Sequence, residues 1–188
     1  DEESVDVVRA FSKLKCRLMP YLYQMAIEAH EHGTPMMRPM MMEFPEDPAC
    51  EYLDRQYMLG DRLLVAPIFR EDGKVTYYIP AGEWYNLLTG EKIAGGAWRT
   101  EKHGFLTMPL LVRGGTVLPM GSCDHKTDYP YTEDVELHVF GLGEGESYTF
   151  MIPTPDGKAE TQYAVSMKNG NAIVETEAKD SYTIHVHS

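Results

Sequence analysis

The chain has 188 residues, 43% hydrophobic and 11% aromatic, enough apolar material for one or two packed domains and too much for a disordered chain. Its 29 acidic against 17 basic residues give a net charge of -12, a surface that repels phosphate backbones and anionic lipid, so nucleic acid and membrane surfaces are not expected partners. No apolar run reaches the length of a bilayer-spanning helix. Cys16, Cys50 and Cys123 are too widely spaced for a disulfide framework or a zinc motif, and they read as free thiols in a reducing, cytoplasmic compartment.

The acidic start, Asp1 to Glu3, carries neither an initiator Met nor a secretory-signal layout, and it reads as the interior of a longer protein. Residues 4–32 are predicted helical, because Val5, Val8, Phe11, Leu14, Leu18, Leu22, Met25 and Ala29 recur at spacings of three and four and share one face. Pro20 either kinks this helix or opens a second one from its first turn, and Gly33 is the expected stop. Such a large apolar face needs something to pack against.

Past Gly33 the pattern becomes short apolar runs between turn residues, the spacing of a β-sandwich or barrel. Strands are predicted at 57–59, 63–69, 75–79, 84–88, 105–107, 110–112 and 116–118. The polar stretch 122–134 reads as a linker or long loop. A second, acidic β unit follows, with strands at 135–140, 147–152, 161–167, 172–176 and 182–186. In the first of these Val135, Leu137 and Val139 face one side, and Glu136 and His138 the other. The chain is therefore predicted to be mainly β behind an N-terminal helix, divided at 1–33, 34–120 and 121–188.

Chemistry-bearing residues give weaker signals. His30 and His32 point to nearly opposite sides of a helix. His185 and His187 share a strand face, but no third ligand stands near them in sequence, so no metal site is expected. Cys16 lies beside Lys15 and Arg17, the surroundings of a reactive thiol, although packing is its commoner role. Gly95-Gly96 and Gly114-Gly115 do not open a helix after a strand and form no phosphate loop. Glu43, Glu46, Asp47, Glu51 and Asp54 crowd a Pro- and Met-rich stretch, and glycoside hydrolysis uses two carboxylates, but crowding in sequence is not separation across a sugar ring. Arg38 is the best buried-cation candidate, with Glu43 or Asp54 as partner. Trp84, Tyr85 and Trp98 offer stacking surfaces for sugar, or core.

Six blocks carry a resemblance to a known family. They are Leu14-Lys-Cys-Arg-Leu-Met-Pro-Tyr-Leu-Tyr23, Gly33-Thr-Pro-Met-Met-Arg-Pro-Met40, Glu43-Phe-Pro-Glu-Asp-Pro48 and Gln56-Tyr-Met-Leu-Gly-Asp-Arg-Leu-Leu-Val-Ala-Pro67, then Tyr78-Ile-Pro-Ala-Gly-Glu-Trp-Tyr-Asn-Leu-Leu-Thr-Gly90 and Pro109-Leu-Leu-Val-Arg-Gly-Gly-Thr-Val-Leu-Pro119. In this order and spacing they resemble the C-terminal portion of glycoside hydrolase family 31, closest to its bacterial α-xylosidases. The resemblance implies that residues 1–33 are the last helix of a (β/α)8 barrel, 34–120 a proximal β-sandwich and 121–188 a distal β-domain. It implies a parent enzyme that hydrolyses α-linked oligosaccharide without a cofactor, through two aspartates lying upstream of any residue present here. No catalytic residue is therefore assigned to this sequence. The implied partner is the catalytic barrel of the parent; without it, the apolar face of the helix predicts association with copies of the same chain.

Overall fold

A computed structural model describes residues 2–187. Helix α1 (Glu2–Arg17) and helix α2 (Met19–His32) are separate elements. Pro20 sits in the first turn of α2, where its missing N–H leaves no bond unmade. The junction stays paired: Leu18 donates its N–H to Leu14 and accepts from Leu22 at its carbonyl, both at 2.9 Å. The last carbonyls of α1 find partners far along the chain. Tyr129 donates its hydroxyl to the Cys16 carbonyl at 2.7 Å, and the Gly121 N–H bonds the Arg17 carbonyl at 2.7 Å, so two groups that a helix end leaves orphaned are satisfied. Gly33 ends α2 at φ +73° with its N–H on the Ala29 carbonyl, a left-handed conformation that a side chain resists. The apolar stripe is covered at Leu18 and Met25, and Tyr21 is buried beside it, while Val5 and Val8 remain 54% and 66% exposed.

The fold has two compact units, one formed by residues 2–34 together with 115–187, the other by Pro35–Gly114. In the second, the chain runs through β1 (Met37–Arg38), α3 (Met40–Glu43), a 3-10 turn at Pro48–Cys50, β2 (Tyr57–Leu59), β3 (Leu63–Val65) and β4 (Lys74–Ile79). It continues through β5 (Glu83–Asn86), β6 (Lys92–Ala94), β7 (Ala97–Lys102) and β8 (Leu110–Arg113). Six strands make one antiparallel sheet in the order β1-β2-β3-β8-β5-β6, and β4 and β7 make a separate ribbon. Met58, Leu64, Trp84 and Leu111 of the sheet share a core with Val75, Tyr77 and Ile79 of the ribbon. Gln56 is buried and acts as an extra rung: its amide nitrogen donates to the Tyr78 carbonyl at 2.7 Å, and its amide oxygen accepts the Tyr78 N–H at 2.8 Å.

Several local expectations change here. The strand predicted over 63–69 stops at Val65, just before Ala66-Pro67, since proline has no N–H for a ladder. Residues 105–107 are turn and loop. A six-residue strand, β7, occupies polar sequence in which none was predicted.

In the first unit, β9 (Thr116–Met120), β10 (Val135–Phe140) and β14 (Tyr182–His187) form one sheet, and β11 (Ser147–Pro153), β12 (Glu160–Lys168) and β13 (Asn171–Thr176) another. All five strands after residue 121 lie within one residue of their predicted bounds. Strand β9 pairs antiparallel with β10, from Thr116 opposite Phe140 to Met120 opposite Glu136. Val117, Val135, Leu137 and Val139 share a core with Phe150, Ile152, Tyr163 and Val165, with Met19 and Tyr23 of α2 packed against it. That alternation sends Glu136 and His138 to the opposite face of β10, as the sequence period requires. Strand β14 runs parallel to β10, placing His185 directly opposite His138. The chain is mainly β, as expected.

Candidate functional site

The acidic stretch 43–54 is tied into the structure by its own neighbours. Arg38, 4% exposed, donates to Glu43 at 2.6 Å and to the Pro35 carbonyl at 3.0 Å. Glu43, one of the two partners weighed for this guanidinium, lies within ion-pair range. Asp47 caps the 3-10 turn by accepting the Ala49 N–H at 3.0 Å, and it also accepts the Tyr78 hydroxyl at 2.9 Å. Beside it the Cys50 thiol is pushed up to about 11, by burial first and by the Asp47 charge second, which makes it a packing group rather than a nucleophile. Glu43, Phe44, Glu46, Asp47 and Arg113 line an open cleft of about 460 Å³, with the Arg113 guanidinium 4.9 Å from the centre of the Phe44 ring. Two of the carboxylates that suggested sugar hydrolysis therefore hold a loop in place.

The aromatic candidates separate by burial. Trp84 is 1% exposed and donates its indole N–H to the Pro80 carbonyl at 2.9 Å. Tyr85 is equally buried, so both are core. Trp98, on β7, is 59% exposed, its ring tilted by 56° against Tyr78 at 5.6 Å. Gly95 has a steric role: a Cβ there would lie 1.9 Å from the Pro80 carbonyl oxygen. His30 and His32 are exposed in the last turn of α2.

The distal sheet assembles a polar cluster that sequence order hides. Strand β10 contributes Glu136 and His138, two residues apart on one face, and β14 contributes His185 and His187 in the same way. The His138 and His185 rings stack at 4.8 Å and 21°. Their Nε2 atoms lie 3.1 and 3.7 Å from the same oxygen, Oε2 of Glu136. Nδ1 of His138 is 3.0 Å from Nε2 of His187, whose ring stacks on Phe140 at 4.3 Å. Arg17, at the end of α1, places its guanidinium 2.7 Å from Oε2 of Glu136.

Burial lowers the pKa of His138, with the charges of His185 and His187 adding to it against the opposing pull of Glu136. His187 is lowered by burial and then by His185. Burial works to raise Glu136, but hydrogen bonds from His138 and Arg17 outweigh it and hold the carboxyl below its usual range. Sequence reading saw no third ligand near His185 and His187. The missing signal is the parallel pairing of β10 with β14, which spacing along the chain does not announce.

The chain is mainly β with a helical lead-in, and Glu43 and Asp47 are engaged in structural contacts. Comparison with known proteins gives its class. Residues 33–118 match the glycosyl hydrolase family 31 C-terminal domain, and residues 130–188 match the C-terminal domain described for alpha-xylosidase YicI. An alpha-xylosidase of Emericella nidulans is 43% identical over 148 residues, 74% of this chain and 19% of the relative. Alpha-xylosidase XylQ of Lactiplantibacillus pentosus is 32% identical over 192 residues, 100% of this chain and 25% of the relative.

Among solved structures, the Flavobacterium johnsoniae GH31 dextranase complexed with glucose superposes with a TM-score of 0.78 at 28% identity, over 94% of this chain and 24% of that one. The cycloalternan-forming enzyme of Listeria monocytogenes superposes with a TM-score of 0.82 at 28% identity, over 95% and 18%. This chain belongs to glycoside hydrolase family 31, as a C-terminal portion close to its α-xylosidases. It spans about a fifth to a quarter of the length of the curated relatives just named. Among the described residues, no helix is long and apolar enough to cross a membrane.

Proposed function

We propose that this chain is the non-catalytic C-terminal segment of a retaining α-glycosidase, of α-xylosidase or α-glucosidase type, that hydrolyses terminal α-linked sugars. Residues 1–33 serve as the last helical element of the catalytic barrel, 34–120 as a proximal sandwich and 121–188 as a distal domain. Together they support and cover the barrel. The observation that carries this reading is helix α1, whose apolar stripe begins at Val5 and Val8 and which contains no buried residue. An amphipathic helix needs a surface to cover, and the outer helices of a (β/α)8 barrel have one in its strands. The engagement of Glu43 with Arg38 and of Asp47 with Tyr78 supports the same reading. The parent enzyme acts by double displacement through a glycosyl-aspartyl intermediate, without a cofactor. Three free cysteines suit a reducing cytoplasm, and the open stripe of α1 favours association of copies when the chain is alone.

The test is hydrolysis of p-nitrophenyl α-xyloside and α-glucoside by the chain at high concentration. No turnover above buffer is expected. Turnover that survives repurification and disappears in Glu43→Gln, Asp47→Asn or Asp54→Asn would overturn the proposal. The exposure of Trp98 favours a second reading, a carbohydrate-binding surface on the β4–β7 ribbon. It requires saturable binding of an α-linked oligosaccharide that Trp98→Ala abolishes, and flat titrations across glycans remove it.

A further inference from the structure

We propose that Glu136, His138 and His185 form a site for a divalent transition-metal ion, Zn2+ foremost, on the polar face of the β9-β10-β14 sheet. One potential ligand atom from each of these residues lies within 4.8 Å of the other two. The arrangement follows from strand geometry. Residues two apart on a strand share a face, which puts Glu136 beside His138. Parallel register sets His185 opposite His138, so its imidazole arrives on that face from the neighbouring strand. A tetrahedral shell with bonds near 2.05 Å has edges of roughly 3.3 Å. The two separations from the Glu136 oxygen, 3.1 and 3.7 Å, bracket that edge, and side-chain rotation must bring the two imidazole nitrogens, within 4.8 Å of each other, to the same spacing.

Ligand chemistry selects the class of ion. Two imidazoles and one carboxylate suit zinc, cobalt, nickel and copper, whereas calcium and magnesium favour all-oxygen shells. Support around these residues is also in place. A ligating imidazole is held when its other ring nitrogen is hydrogen-bonded, and Nδ1 of His138 meets His187 at 3.0 Å. His187 is itself fixed by stacking on Phe140. His185 is half exposed, which leaves an entry path and coordination positions for water. Arg17 sets the limit on affinity, because its guanidinium occupies the same Glu136 oxygen at 2.7 Å. The second carboxylate oxygen lets the ion and Arg17 take one oxygen each, at a cost in mutual repulsion.

The experiment is titration of the whole, chelator-treated chain with Zn2+ by calorimetry, and with Co2+ by visible absorption. One ion per chain is expected, with micromolar affinity and the intense d–d bands of a four-coordinate Co2+ site. His138→Ala and His185→Ala each weaken binding by at least about tenfold, and His187→Ala weakens it less, as a positioning residue does. Arg17→Gln tightens it, a sign that a merely structural role for the cluster does not predict. His30→Ala with His32→Ala leaves it unchanged. Should an alanine variant lose its fold, zinc titration of the native chain followed by histidine-side-chain NMR decides: the shifts concentrate on His138 and His185. Uptake spread over several weak sites, no saturable uptake, or shifts confined to other histidines would overturn the proposal.

Discussion

Glu43 carries the sharpest stability test, because it is the carboxylate that pairs with an almost fully buried guanidinium. Truncation in Glu43→Ala removes the 2.6 Å charge-assisted bond and leaves Arg38, 4% exposed, without that counter-charge. Breaking a buried ion pair from one side costs about 3–5 kcal/mol. The Glu43 side chain is itself 15% exposed, so water reaches the pair and the lower end applies, about 3 kcal/mol. Glu43→Gln keeps an acceptor of the same length and loses only the charge, which places it near 1–2 kcal/mol. For a chain of this size each kcal/mol moves the midpoint by about 2–4 °C, so the alanine variant should melt about 6–12 °C lower. Calorimetry of the whole chain gives the comparison. An alanine variant within about 0.5 kcal/mol of the parent, or a glutamine variant worse than alanine, would refute the claim that this pair anchors the loop.

Four further outcomes are expected. Tyr129→Phe removes the bond to the Cys16 carbonyl and costs about 1 kcal/mol in urea unfolding, by exposing an orphan at the end of α1. Tyr163→Phe is neutral or stabilising by up to about 1 kcal/mol, since the buried Tyr163 hydroxyl finds no hydrogen-bond partner among the described residues. Trp84→Ala costs about 3–5 kcal/mol, whereas Trp98→Ala is nearly silent in stability and removes the iodide-quenchable part of the tryptophan fluorescence. Alkaline pH weakens the fold: burial raises Cys50 from 9.0 to about 11 and Tyr163 from 10.0 to about 12, so the folded chain keeps protons that the unfolded chain sheds. Their stabilisation is complete below pH 9 and lost as pH rises through 11 and 12; a urea midpoint that stays flat from pH 9 to pH 11 contradicts it.

What was legible in the sequence followed periodicity and punctuation. The five distal strands emerge from alternation such as Val135, Leu137 and Val139, because one face is buried and the other is not. Gly33 and Pro20 marked helix ends for backbone reasons that hold in any context. Strand β7 was illegible because Ala97–Lys102 shows no buried face, its residues being exposed or half-exposed. It is held instead by ladder pairing to β4 and by cross-strand bonds, Thr76 with Thr100 at 2.9 Å and the Tyr77 hydroxyl donating to Glu101 at 3.0 Å. Trp84 and Trp98 looked alike as letters, and only the pairing pattern turned one inward and the other out. The histidine cluster was hidden for a related reason: its two halves come from strands whose adjacency is a tertiary fact.

The parallel ladder between β10 and β14 also constrains when this region can take shape. Residues 35–114 form their unit from one continuous stretch, so that unit can condense while synthesis is still under way. The other unit draws on both sides of that insertion, and its sheet lacks an edge until Tyr182–His187 has left the ribosome. Non-local pairings of this kind close late, after the loop entropy between them has been overcome. During translation, then, helix α2 must wait for the sandwich core on which Met19 and Tyr23 pack.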